Sequence, residues 1–148
     1  MKNQRHIAGA RLRQTFCLGL ALLFCGCHVD RCMTPFGEGG ELDLLMPEFI
    51  NLYNNPGGTL VINRGYRNTG ILVHCVNLGE YVAFGCVCPN CQDQVLQADD
   101  AQRATLLTCP DCGSSFEVYF GNPIEGSQTS CPLFQYNTRY DGRYLSIY

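Results

Sequence analysis

Two short motifs constrain this chain most: Cys88-Pro89-Asn90-Cys91 and Cys109-Pro110-Asp111-Cys112. Each is a C-x-x-C knuckle, and seventeen residues lie between them. That spacing brings two hairpin tips together around one soft metal. The chain has three histidines, His6, His28 and His74, and none lies between or beyond the knuckles. The expected ligand set is therefore four thiolates: Cys88, Cys91, Cys109 and Cys112.

The segments around the knuckles read as strands. Thr59–Asn63, Ile71–Val76, Tyr81–Cys86, Ala104–Thr108, Phe116–Phe120, Leu133–Tyr140 and Tyr144–Tyr148 are rich in Val, Ile, Leu, Tyr and Phe, as half-buried strands are. Asn77-Leu78-Gly79-Glu80 and Asp141-Gly142 read as hairpin turns, and Asn54-Asn55-Pro56-Gly57-Gly58 as a turn cluster. Leu42–Tyr53 is apolar but broken by Pro47, and suits either a strand or a short helix. Gln92–Arg103, with Asp99-Asp100, reads as a solvated excursion between the knuckles. No long stretch carries a 3.6-residue period outside the N-terminal region. The expected fold class is all-β: a small antiparallel barrel or sandwich with a metal-knuckle subdomain.

The N-terminus reads as an export signal. Lys2, Arg5, Arg11 and Arg13 precede a ten-residue apolar run, Thr15–Phe24. A helix of that length spans only ~15 Å, against a bilayer core of ~30 Å, so a signal peptide fits better than a membrane span. The run ends in Leu23-Phe24-Cys25-Gly26-Cys27, similar to a bacterial lipoprotein signal with Cys27 as the lipidated residue. The domains expected are a signal peptide over 1–26, a lipidated tether over 27–41 and a β domain over 42–148. Cleavage before Cys27 leaves six Lys+Arg against thirteen Asp+Glu, a net charge of −7. That excludes a basic nucleic-acid footprint; membrane attachment would come through the acyl chains. Of the eleven cysteines, Cys32, Cys75, Cys86 and Cys131 remain outside signal, anchor and knuckles. An exported protein can oxidise some of them, and their pairing stays open.

From Tyr81 onward the chain resembles the Rieske iron–sulfur domain. Ala83-Phe84-Gly85-Cys86-Val87-Cys88-Pro89 looks like the approach to the first cluster loop. Cys109-Pro110-Asp111-Cys112-Gly113-Ser114-Ser115-Phe116-Glu117 is similar to the second loop, C-x-x-H-G-S-x-F-D. Gly121-Asn122-Pro123-Ile124-Glu125-Gly126 resembles the third. Pro132-Leu133-Phe134-Gln135-Tyr136, Asp141-Gly142 and Leu145-Ser146-Ile147 follow the closing P-L-x-x-Y…D-G…L-x-I pattern. The resemblance implies a [2Fe–2S] centre and electron transfer. A Rieske centre takes two thiolates and two imidazoles. Here Cys88 and Cys109 stand at the thiolate positions, with Asn90 and Cys112 where imidazoles belong. Cys91, one residue late, is in position to replace Asn90. An alternative register pairs Cys86 with Cys88 as C-x-C; the first fits the strand-to-loop junction better. His74, inside an expected strand, reads as a sheet histidine rather than a ligand.

Four thiolates in paired knuckles suit Zn²⁺ or a single iron, and the resemblance adds a four-cysteine [2Fe–2S] cluster. Metal-free or disulfide-bonded knuckles are the other possibility. Thioredoxin-like chemistry is not expected, because neither C-x-x-C opens a helix that would lower a thiolate pKa. No Ser/His/Asp set or other catalytic constellation is present, so the chain reads as a carrier or binding module rather than an enzyme. Two function classes follow. One is a lipid-anchored electron carrier on a bacterial envelope membrane, periplasmic or at the surface, serving a redox protein partner. The other is a non-redox β-module, with structural zinc or degenerate knuckles, that binds another envelope component.

Overall fold

The computed structural model describes Cys32 and residues 37–148. The expected signal peptide and Cys27 lie outside the described residues. Among the described residues, ten antiparallel strands form three small sheets, joined by turns and two single-turn 3₁₀ segments. The strands are β1 (Gly40–Asp43), β2 (Thr59–Ile62), β3 (Ile71–Asn77), β4 (Glu80–Gly85), β5 (Gln97–Ala98), β6 (Leu106–Thr108), β7 (Ser115–Glu117), β8 (Gln135–Tyr136), β9 (Thr138–Tyr140) and β10 (Tyr144–Ile147). The sheet orders are β1-β10-β9, β2-β3-β4-β8 and β5-β6-β7. The all-β expectation holds.

The β2-β3-β4-β8 sheet is the middle layer, buried on both faces. Along β3, Ile71, Val73 and Cys75 point into one core while Leu72 enters another; along β4, Tyr81 and Ala83 oppose Phe84 in the same way. Side chains alternate faces along a strand, so a strand covered on both sides reads as the continuous apolar run seen at Ile71–Val76. The first core joins this sheet to Leu42, Leu44, Leu52, Leu145 and Ile147. The second joins it to the knuckle sheet through Leu107, Phe116, Val118 and Leu133. That core positions the site, because Cys88 and Cys109 are part of it.

Several boundaries differ from the sequence reading. A strand, β1, begins at Gly40, ahead of Leu42, and pairs with β10. Pro47 ends any continuation of that strand: Pro47–Phe49 is a 3₁₀ turn, a conformation that suits Pro at its start. The Gln92–Arg103 segment is more than a solvated excursion. Leu96 is buried in the second core and β5 pairs with β6. Asp99 and Asp100 are turn-formers: Asp99 accepts from the Asp100, Thr105 and Leu106 N–H groups, and Asp100 from those of Gln102 and Arg103. The expected Phe116–Phe120 strand stops at Glu117, whose carboxylate accepts the N–H groups of Tyr119, Phe120 and Asn122 and bends the chain. Leu133–Tyr140 divides at Asn137, so that β8 joins the middle sheet and β9 the outer one. Such a switch of sheets makes a sandwich corner.

Both expected hairpins are present. β3 and β4 meet across Asn77–Glu80, and β9 and β10 across Asp141-Gly142, where the Asp141 carboxylate accepts from the Arg143 and Tyr144 N–H groups. Gly121 has φ 71°, and a Cβ there would lie 2.7 Å from the Phe84 ring. Only glycine lets the loop turn that close to the second core. Cys32 and Cys131 form a disulfide across 99 residues, answering one of the open pairings. In the chain-entropy account, a loop of that size removes roughly 4–5 kcal/mol of unfolded-state freedom. Cys75 and Cys86 are buried free thiols.

Candidate metal centre

The two knuckles are the same turn built twice. Cys88 follows the end of β4 and Cys109 follows β6, so each enters from a strand packed on the second core. Pro89 and Pro110 follow at the second position, where their fixed φ suits a tight turn. The Gln92 N–H donates to the Cys88 carbonyl at 2.8 Å, and the Gly113 N–H to the Cys109 carbonyl at 3.0 Å. The fifth residue is left-handed in both: Gln92 at φ 61° and Gly113 at φ 72°. Glycine takes that conformation freely, whereas glutamine adopts it at a cost. A glycine at that place is a local sign of the turn, and Gln92 carries none.

The turns bring all four expected cysteines to one point. The Sγ atoms of Cys88, Cys91, Cys109 and Cys112 all lie within 4.8 Å of one another. Two contacts run between knuckles, Cys88 to Cys112 at 3.7 Å and Cys91 to Cys109 at 3.8 Å. A tetrahedral ion with ~2.3 Å bonds to sulfur requires an edge of roughly 3.8 Å between its ligands. The two measured edges match that value, and no pair of the four sulfurs is more than 4.8 Å apart. A two-iron cluster places its thiolate pairs on separate irons. A four-thiolate cluster would draw on the same four residues.

Electrostatics also fit a cation. Burial pushes the Cys88 thiol up to about 11, against hydrogen bonds from the Cys91 and Asn90 backbone. Cys91 is raised by desolvation and by its neighbours Cys112 and Cys109. Desolvation would raise Cys112 too, but the Ser114 hydroxyl and backbone, with Cys91 and Cys109, outweigh it and hold the thiol at about 6. Cys112 is thus favoured as a thiolate beside Cys88 and Cys91, whose thiols are held up by burial and by repulsion from neighbouring sulfurs. A bound divalent cation removes that repulsion and lets the whole set ionise.

Ser114 is the supporting residue that the sequence reading quoted without a role. Its side chain is fully buried. Its Oγ lies 3.2 Å from the Cys112 sulfur and accepts the Gln128 N–H at 2.9 Å. The hydroxyl oxygen thus accepts from both the Cys112 thiol and the Gln128 N–H. The third loop closes over this corner: Ser127 Oγ bonds both the N–H and the carbonyl of Ser115, and the Ile124 N–H reaches the same carbonyl. Asn90 lies 3.9 Å from Cys91 Sγ through its Nδ2 and is no ligand.

Cys86 lies outside the cluster. It is buried in the second core, and burial pushes its thiol up to about 12, so the C-x-C register is not the one adopted. His74 is likewise not a member of the group. It is buried in β3, its ring edge-on to Tyr119 at 4.7 Å between centroids.

An antiparallel β domain with a four-cysteine site is the class that fold and geometry define. A family model described as alpha-aminoadipate carrier protein LysW-like, globular domain, a zinc ribbon, matches residues 86–127. That span holds all four cysteines and less than a third of the chain. Among solved structures, the chain is similar to one in a complex of reduced oxygenase and oxidized ferredoxin in carbazole 1,9a-dioxygenase. Identity there is 19%, over 63% of this chain and 82% of that one, with a TM-score of 0.43. It is also similar to the ferredoxin of carbazole 1,9a-dioxygenase from Nocardioides aromaticivorans IC177. Identity is 20%, over 78% of this chain and 97% of that one, with a TM-score of 0.39. No curated protein matches the chain.

Proposed function

We propose that this protein is a metal-binding β-module whose four thiolates, Cys88, Cys91, Cys109 and Cys112, hold a single zinc ion that staples the knuckle sheet to the middle sheet. The observation that carries this reading is the convergence of the four sulfurs within 4.8 Å of one another, with two separations at 3.7 and 3.8 Å. The zinc-ribbon match over the same residues supports the choice of metal. A bound zinc ion supplies a cross-link between two chain reversals. The chain supplies the four sulfurs, two matched turns, and a buried hydroxyl that orients Cys112. The role that follows is a rigid module that presents its surface to another envelope component.

A second reading keeps the ligands and places one iron in the site, making the protein an electron carrier. Cys91 and Cys112 are only half-buried, which brings one edge of the site close to solvent and within reach of a redox partner. The likeness of the sequence to Rieske domains belongs with this reading. Export and lipidation at Cys27 are proposed from the sequence. The Cys32–Cys131 disulfide accords with an oxidising compartment.

Elemental analysis of anaerobically purified protein separates these readings. One zinc per chain and no visible absorbance is the expected result, with Cys109→Ser losing the metal. One iron per chain with visible absorbance moves the protein to the second reading. Wild-type protein that retains no more metal than a Cys109→Ser/Cys112→Ser double variant rejects both.

A further inference from the structure

We infer that the turn carrying Tyr119 and Phe120 is a membrane-contact face, held at the bilayer because the Cys32–Cys131 disulfide shortens the tether that runs from Cys27. The inference rests on lipidation at Cys27, proposed above, and is independent of the metal.

Cys32 stands five residues after Cys27. A fully extended chain covers at most ~3.6 Å per residue, so Cys32 lies within roughly 18 Å of the acylated residue. Without the disulfide, the first strand to hold the chain would be β1, which begins at Gly40, thirteen residues after Cys27. The reach would then be roughly 45 Å, enough for any face of the domain to turn toward the membrane. The disulfide to Cys131 therefore selects the face. Leu133, two residues after Cys131, donates its N–H to the Gly121 carbonyl at 2.8 Å. Phe120 adjoins Gly121, so the short tether ends beside this turn.

The turn suits an interfacial layer in two respects. Its surface is aromatic, with Phe120 73% and Tyr119 47% exposed, and aromatic side chains concentrate where bilayer meets water. The Tyr119 ring is braced from behind by His74, edge-on at 4.7 Å. Its backbone donors are also already used. The Glu117 carboxylate accepts the N–H groups of Tyr119, Phe120 and Asn122, and the Glu117 carbonyl accepts that of Gly121. A backbone N–H without a partner is what makes a loop costly to place in a poorly hydrated layer. Charge plays no part: the chain cleaved before Cys27 carries a net −7, so an anionic surface would not attract it. Apolar contact adds instead to the hold of the acyl chains.

Leu78, also exposed, marks the opposite end of the middle sheet in the β3–β4 hairpin. β4 has six residues and ends at Gly85, whose N–H bonds the Phe134 carbonyl next to Leu133. At ~3.4 Å per residue, Leu78 is roughly 20 Å from that end.

The chain contains no tryptophan, so one substitution makes a fluorescent reporter. The test uses full-length protein purified from membranes and reconstituted in phosphatidylcholine vesicles with brominated acyl chains, which quench tryptophan on contact. Acylation of Cys27 is read by mass spectrometry on the same sample, and circular dichroism verifies the fold of each variant. The expected result is that Phe120→Trp loses most of its emission while Leu78→Trp keeps its own. Ten Gly/Ser residues inserted after Asp30 lengthen the tether with the disulfide intact, and should restore the Phe120→Trp emission. Acylated protein in which Phe120→Trp is not quenched, or in which both positions are quenched equally, overturns the membrane face and leaves lipidation standing. Quenching unchanged by the insertion overturns the role of the short tether. Emission that shifts to the blue with protein concentration, without quenching by bromine, assigns the turn to a second copy of the chain and also overturns the inference. Protein without an acyl group on Cys27 overturns it through the lipidation reading instead.

Discussion

Single residues around the sulfurs decide how well the site holds an ion, and Ser114 does so without being a ligand. Its hydroxyl orients Cys112 and satisfies the Gln128 N–H. Removing a partner of this kind typically lowers metal affinity about 10–100-fold. Ser114→Ala is therefore expected to weaken zinc binding by that factor in competition titration with a chelator of known affinity, while the metal-loaded fold persists. An unchanged affinity would show that Cys112 needs no orientation from this side. Ser114 was in plain view in the quoted Cys-Gly-Ser run, yet spacing cannot tell a hydroxyl facing a sulfur from one facing solvent. His74 shows the opposite outcome. Its place in an apolar run marked it as a sheet histidine, and burial in β3 is where it sits.

Among the elements, the knuckle sheet is the weakest by itself. β5, β6 and β7 have two, three and three residues, too little to be stable alone in water. It depends on the second core and on whatever cross-links the knuckles. A structural zinc site contributes roughly 10–16 kcal/mol in small peptides, comparable to the stability of a whole domain. Metal removal is therefore expected to release the amides of Cys88, Leu96, Cys109 and Gly113 to fast hydrogen exchange. Amides within β3 and β4 should remain protected, because the first core holds them independently. If all of these amides lose protection together, the two cores form one cooperative unit and the metal staples the entire domain. The sequence placed both knuckles at strand ends correctly but missed β5. Two residues are too few for a period-2 pattern, and Gln97–Ala98 forms a strand only because β6 lies beside it.

For the molecule as a whole, His74 contributes a pH dependence to stability. Burial holds its pKa below the usual imidazole value, with partial offset from the Gly58 backbone. The folded protein keeps the ring neutral, whereas the unfolded chain protonates it near about 6.5. Its stabilising contribution is thus complete above roughly pH 6.5 and is lost as pH falls toward the depressed folded value, by at most ~1.4 kcal/mol per pH unit. Thermal unfolding is expected to show wild type losing more stability than His74→Leu between about pH 7.5 and 5. Protonation of the metal ligands acts in both proteins and cancels in the comparison. Parallel curves would mean that His74 is neutral in both states or is hydrated when folded. Asp43, held low by the Arg143 guanidinium, acts on the opposite side of this window. Its contribution is present above the normal carboxylate range and is lost only as pH falls through its lowered value.

By itself, the sequence determined the β class, the two principal hairpins and the identity of the four sulfurs. Those features are local: turn residues, apolar runs and C-x-x-C spacing act over a few positions. Only the tertiary structure decided that the sulfurs meet at one point, that Cys86 stays out of it, and that Cys32 pairs with Cys131. It also decided that the strand ending at Tyr140 divides between two sheets. Each of these depends on distances between residues far apart in the chain. Such distances are set by how two cores close on opposite faces of the middle sheet, and local patterns of residues do not encode that closure.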